Sequence, residues 1–432
     1  MVTVTRDPVR WVLVLFAATF ALQRLSLPGI SIPITVPFAV AWMGLAMYYQ
    51  VVAVNVRRLI LWLVAGAIGA LMVIPQLLFV NAPYVSVNSW VLWMVVWLPL
   101  VVHLRDRSRA QYHRCLRAIV QFGLALSALS ILFVVVQLLG FGYRDFLGEI
   151  VPQQFLVQGY NSSYPIAYES PFYKSNGWLA LEPSFLSFML GVCIVAGILV
   201  KAHPVKLLVL VAGLLATTAG SGFAVVGVAV VAVVVTGRWS LLKPYALPVV
   251  VLVGVAALTP FGQSILARTS EAGDDRSSTA LRAIEPYRYL WPQWVNDPAA
   301  IFLGRGAGSS RWVVDNLGIP GLTTPNVPKL IFDYGLFAGS LLLVLMLATY
   351  LRTPEPILAV ALGFSMFTVQ AASQPLVLCS VAVAALWAPR ALVRGRPAPA
   401  VASRAQPNPV TVERSPSPVR VERSRPPVRA DV

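Results

Sequence analysis

"KSNGWLALEPSFLSFMLGVCIVAGILV", Lys174 to Val200, decides the class of this chain. From Pro183 to Val200 no residue is charged. A helix needs about 20 such apolar residues to cross the hydrocarbon core of a bilayer. Comparable runs recur along nearly the whole sequence. Of its 432 residues, 58% are hydrophobic and 12% charged, and the mean hydropathy is +0.75. A soluble protein of this size has no need of so much apolar surface. Lipid obliges each spanning segment to satisfy its own backbone groups, and long continuous runs fit helices rather than the alternating pattern of a barrel. The expected class is therefore all-α: a polytopic integral membrane protein of about twelve transmembrane helices.

The spans are expected near 11–27, 33–54, 59–80, 88–104, 118–140, 184–200, 206–219, 221–237, 245–263, 328–350, 356–373 and 375–390. Arg6 and Arg10 ahead of the first run resemble a signal peptide, but "LQRLSLPG" offers no small-residue cleavage site, so the run is expected to be retained. Lys and Arg set the orientation. Arg57 with Arg58, the group Arg105 to Arg117, Lys201 with Lys206, Arg238 with Lys243, and Arg352 all fall on one side if both termini are cytoplasmic. The intervening turns 28–32 and 81–87 carry no charge. Residues 1–393 then form one membrane domain with two long extracytoplasmic loops, 141–183 and 264–327. Both contain Trp, Tyr and Pro with balanced charge, and are expected to fold against the membrane surface. Residues 394–432, rich in Pro and Arg, are expected to be a disordered cytoplasmic tail. The "TTAGSG" break at 217–222 separates two short spans or the arms of a re-entrant hairpin.

The net charge of +16 does not point to nucleic acid. Nine arginines against three acids lie from Arg390 onward, and most of the rest sit in short turns. That distribution fits membrane lipid as the partner. Cys115, Cys193 and Cys379 have neither disulfide nor metal spacing, and no cofactor or metal is expected.

This topology puts Glu182 on the outer face, at the start of the sixth span. A carboxylate there meets the positive end of the helix dipole, and Pro183 suits the first helical position, so both residues have an ordinary explanation. An ionisable group beside the membrane core is nevertheless a site candidate by default. The second outer loop carries Arg268, Arg276, Arg282, Arg288, Arg305 and Arg311. Positive charge is normally depleted outside. One reason to keep it is an anionic ligand, since guanidinium forks grip phosphate oxygens; the other is pairing with the loop's own acids, such as Glu285 between Arg282 and Arg288. "GRGAG" at 304–308 is not a dinucleotide loop, because no strand precedes it; a tight turn fits better. His103, His113 and His203 lie at cytoplasmic ends, so any outer-face base is a carboxylate or another group.

Several of these features occur in one order. "NGWLALEPSFLSF", "TTAGSGFAVVGV", the arginines of "RSSTALR" ahead of "GRGAGSS", and "PNVPKLIFDYGLFAGSLL" together make residues 175 to 350 resemble the O-antigen polymerase and ligase superfamily. The resemblance implies a membrane glycosyltransferase of the bacterial cytoplasmic membrane. It would polymerise polyprenyl diphosphate-linked oligosaccharide repeats on the outer face, with a flippase and a chain-length regulator as implied partners. Pro325 stands where ligases carry His, which favours a polymerase. Glu182 and Arg282 are the expected catalytic pair, one as base and one facing the leaving diphosphate. Arg276, Arg288, Arg305, Lys174, Asn326 and Asp333 are expected to bind substrate, with Asp333 a second candidate base. The rivals are ligase-type transfer to a terminal acceptor, a lipid-phosphate-sugar transferase, and a transporter. The lipid-phosphate-sugar transferase would need an acidic pair in the first outer loop, where this chain has "PGISI". Transport gives no reason for an arginine-rich outer loop.

Overall fold

The computed structural model describes residues 6–28, 30–80, 82–160, 162–166, 170–258, 280–319, 321–368 and 373–388. Contacts divide the chain into Met1–Arg390 and Ala391–Val432. The second unit, with the expected tail at 394–432, lies outside the described residues, as do Arg268, Arg276 and the end of the expected ninth span.

Apolar helices dominate. They run Pro8–Ala21, Thr35–Tyr48, Val56–Leu71 leading into Val73–Phe79, Val87–Trp97, Arg109–Leu138, Pro183–Leu199, Pro204–Thr217, Gly220–Val235, Lys243–Ala257, Asn326–Tyr334, Ser340–Tyr350, Pro356–Phe367 and Gln374–Val383. Each overlaps one of the stretches read from the sequence. Among the described residues, Val56–Phe79, Arg109–Leu138 and Asn326–Tyr350 are long and apolar enough to cross a membrane by length and composition. The others are shorter apolar helices. The protein is thus an all-α, membrane-type chain.

The departures have local causes. The first helix stops at Ala21, and Gln23 and Arg24 beyond it turn inward to meet Leu181 and Asp145 of the 141–183 loop. Ser26–Leu27 then pairs with Ile30–Pro33, and Val52–Val54 pairs with Val102–Leu104. These antiparallel pairs satisfy backbone groups freed where helices end. Arg109–Leu138 begins well before the expected span, inside the arginine turn, with Ser108 Oγ accepting the Gln111 N–H at 3.3 Å as its N-cap.

Pro183–Leu199 is the central element. Every residue in it is buried, which explains an apolar sequence with no polar stripe. It packs on Gly220–Val235, Arg109–Leu138 and Pro204–Thr217. Gly222 permits the first contact: a Cβ there would lie 2.1 Å from the Ser187 carbonyl oxygen. The segment 280–316 is largely helical, in short pieces: Ala280–Ala283, Glu285–Val295, Pro298–Leu303 and Ser309–Asn316. It has its own small core of Leu290, Trp294, Ala300 and Val313 closed by Val80 and Phe332. Trp294 is buried in that core, whereas Trp291 is exposed.

Candidate active site

Glu182 is held by the segments on either side of it. Upstream, Gly177 and Trp178 take successive left-handed conformations. The buried Asn176 stabilises this turn: its Oδ1 accepts the Trp178 N–H at 2.9 Å and its Nδ2 donates to the Ser162 carbonyl at 3.2 Å. Gln23 Oε1 accepts the Leu181 N–H at 3.3 Å, tying the strap to the end of the first helix. Downstream, the hydroxyl-rich break grips the first turn of Pro183–Leu199. Ser221 Oγ donates to the Ser184 carbonyl at 2.5 Å, Ser187 Oγ donates to the Ala219 carbonyl at 2.6 Å, and the Gly222 N–H donates back to Ser187 Oγ at 2.9 Å. The break thus fixes the helix that presents Glu182. The two arms, Pro204–Thr217 and Gly220–Val235, are separate helices joined through Thr218 at φ 48°.

Glu182 stands at the N-cap position but accepts no N-cap hydrogen bond. Its Oε2 instead accepts from Arg282 Nη2 at 2.7 Å and from Ser184 Oγ at 3.1 Å. The dipole-capping explanation therefore leaves the orientation of the carboxylate unexplained, whereas the ion pair accounts for it. Both side chains are largely buried, at 10% and 17% exposure, so water screens the pair weakly.

The pair lines a cavity of about 440 Å³, within the usual range for small-ligand sites. Its walls come from elements far apart in sequence: Trp93 of Val87–Trp97, Tyr160 and Tyr164 of the 141–183 loop, Arg311, Lys329 and Gln374. Burial raises the Tyr164 hydroxyl above its ordinary value, the charge of Glu182 adds to the rise, and Arg282 offsets part of it. Tyr164 therefore stays a neutral donor. Among the described residues, Trp93 Nε1, Thr323 Oγ1 and Ser373 Oγ are buried polar atoms in residues of this wall without a hydrogen-bond partner. Such atoms are costly unless a ligand or water meets them.

Asp333 occupies a different role from a free base. It is fully buried; Oδ1 accepts the Ser310 N–H at 2.8 Å, and Oδ2 accepts the Gly308 N–H at 3.2 Å and Lys329 Nζ at 2.6 Å. The "GRGAG" stretch is indeed a tight turn, and it closes on this carboxylate. Gly304 (φ 78°) crosses the backbone at Gly335 so closely that a Cβ on Gly304 would sit 2.5 Å from the Asp333 carbonyl oxygen.

The remaining expected residues lie around the cavity rather than in its wall. Arg305 donates to the Gln293 carbonyl at 2.5 Å and pairs with Asp297 at 3.3 Å, bracing the outer helices. Arg288 meets Glu285 at 3.4 Å and is 65% exposed, the i,i+3 pairing that local acids offered. Lys174 Nζ lies 5.7 Å from the ring centroid of Tyr164, a wall residue. Asn326 is buried at the start of Asn326–Tyr334. Arg276 is outside the described residues. Lys329 and Arg311, by contrast, line the cavity and were not singled out as site residues. Lys329 carried a faint signal: it stands four residues before Asp333 at the mouth of a span.

No curated protein and no solved structure matches the chain. A family model described as WcaD colanic acid polymerase matches residues 11–319, more than half of its length, from the first helix past Glu182, Arg282 and Arg311. The apolar helices agree with that match: the chain belongs to the WcaD colanic acid polymerase family, membrane enzymes that polymerise oligosaccharide units into polysaccharide.

Proposed function

We propose that the chain crosses the bacterial cytoplasmic membrane about twelve times with both termini inside, and that the cavity faces outward. There it would extend a glycan carried on a polyprenyl diphosphate. In each cycle a sugar hydroxyl of one lipid-linked unit attacks the anomeric carbon of another. A new C–O bond forms, the anomeric C–O(phosphate) bond breaks, and the lipid diphosphate leaves with the electron pair. Glu182 accepts the hydroxyl proton, a role contributing about 10²–10⁴-fold in rate. Arg282 holds that carboxylate in place through one N–H and offers its other donors to the phosphate oxygens.

The observation that carries this reading is the 2.7 Å contact between Arg282 and Glu182, a hundred residues apart, in the wall of one cavity. A general base and a fixed cation side by side suit a reaction that releases a proton and an anion together. Ligase-type transfer needs the same two groups, and the family match favours polymerisation. The test is the length of glycan made in cells lacking the chromosomal copy. E182Q and R282A should each reach the membrane in normal amount and yield only unextended repeats. Normal-length polymer from both variants sinks the proposal.

A further inference from the structure

The cavity holds a second, differently built cation. Lys329 Nζ donates to Asp333 Oδ2 at 2.6 Å and to Ser310 Oγ at 3.1 Å, and it lies 5.8 Å from the centroid of the Trp93 ring. Asp333, Ser310 and Trp93 are all buried, while the Lys329 side chain keeps 16% exposure and lines the cavity.

The arrangement has a direction of cause. Asp333 is anchored by two backbone N–H groups of the glycine turn, at Gly308 and Ser310. Its position does not depend on the lysine; it fixes the lysine. Asn326–Tyr334 puts the two residues four apart on one helix face. Ser310, leaving the turn, supplies the second anchor. An ammonium has three N–H groups, and two are used this way. The third has no partner among the described residues. Close by, Trp93 Nε1 is a buried donor without a partner among the described residues, in the same wall. A held ammonium and an unused indole N–H stand on one wall, and both are donors. Arg311, also in the wall, adds positive charge, although Asp315 meets it at 3.4 Å. A phosphate oxygen answers this donor set, whereas a sugar hydroxyl, which must also donate, answers it less well.

We propose that Lys329, positioned by Asp333 and Ser310, grips a diphosphate in the cavity as a second cationic group alongside Arg282. This rests on the polymerase reading of the same cavity. Asp333 is then a positioning residue, and the glycine turn exists to hold it. The wall separates two tasks: proton acceptance at Glu182 and anion binding at Lys329.

The experiment measures equilibrium binding of inorganic diphosphate to the purified full-length protein in nanodiscs, with R144A as a surface control. K329Q keeps an amide for Asp333 and Ser310 but removes the charge; it should weaken diphosphate binding at least tenfold. K329R should stay within about threefold of wild type. E182Q removes a negative charge beside Arg282, so it should bind diphosphate at least as tightly as wild type while failing to extend glycan. A neutral residue at 329 leaves Asp333 charged and buried, so the double variant Lys329→Gln/Asp333→Asn removes both charges and keeps the fold testable; it should bind as weakly as K329Q. Wild-type binding by K329Q or by the double variant overturns the proposal. Active E182Q would overturn the base assignment instead and leave the binding result standing.

Discussion

Removing either half of the Arg24–Asp145 pair should destabilise the protein, and unequally. Arg24 donates to the two Asp145 oxygens at 2.7 and 2.6 Å and to the Trp178 carbonyl at 3.0 Å. It thereby joins the end of the first helix to both ends of the loop that carries Tyr160, Tyr164 and the Glu182 strap. The side chains are 7% and 27% exposed. In R24M, Asp145 keeps the Gly148 N–H and the Ser162 hydroxyl, both at 3.1 Å, and some water. The loss should be about 2 kcal/mol, below the ~3–5 kcal/mol typical when one partner of a fully buried pair is removed. In D145N the guanidinium stays buried with a weaker partner, so the loss should approach that full range. Burial pushes the Asp145 carboxyl up, but hydrogen bonds from Arg24 and Gly148, the Arg24 charge and the Ser162 hydroxyl outweigh it and hold it below the ordinary carboxylate value. With the folded value depressed, the contribution is complete above the unfolded value near pH 4, and is lost as pH falls through the folded one. SDS titration of the purified protein in mixed micelles reads both effects. If the two variants lie within about 0.5 kcal/mol of wild type at pH 7, the strap is not held in this way.

Other outcomes follow from the packing. Gly222→Ala should cost about 3 kcal/mol or prevent folding, since its Cβ meets the Ser187 backbone at 2.1 Å; expression and SDS resistance report it. Glu355 is buried and meets Arg238 at 3.0 Å, Arg109 at 3.2 Å and His113 at 3.3 Å. E355Q should lower stability by about 1–3 kcal/mol, because Arg238, Arg109 and His113 are partly exposed and can rehydrate, without changing diphosphate binding in the cavity, whose wall does not include Glu355. Gly304→Ala should spoil the turn that anchors Asp333 and weaken inorganic diphosphate binding severalfold while Glu182 remains in place.

Local chemistry was legible in the sequence and long-range pairing was not. The Pro183–Leu199 helix announced itself by an uncharged run behind Glu-Pro-Ser. The outer arginines stood out because positive charge is unusual there. Spacing from the local acid, however, does not separate Arg282 from Arg288: each lies three residues from Glu285. In the structure Arg288 takes that local acid, while Arg282 reaches Glu182 in another part of the chain. Arg305 is likewise taken by Gln293 and Asp297. Lys329 stands four residues before Asp333, an ordinary helical spacing that by itself marks no site; only the approach of Trp93 and Ser310 sets it in a cavity wall. Asp333 read as a candidate base because sequence cannot tell a free carboxylate from one closed by backbone N–H groups. The composition of 217–222 suggested a helix break, but not that Ser221 would donate to the helix of Glu182, nor that the Ala219 carbonyl would accept from it.

The central claim is that Glu182, held by Arg282, takes the acceptor proton. Single-turnover extension of a defined lipid-linked repeat by purified E182Q and E182D tests it most directly. The expected result is a chemical step slowed by about 10²–10⁴ in E182Q with substrate binding unchanged, and partial recovery in E182D. A single-turnover rate for E182Q within threefold of wild type contradicts the account.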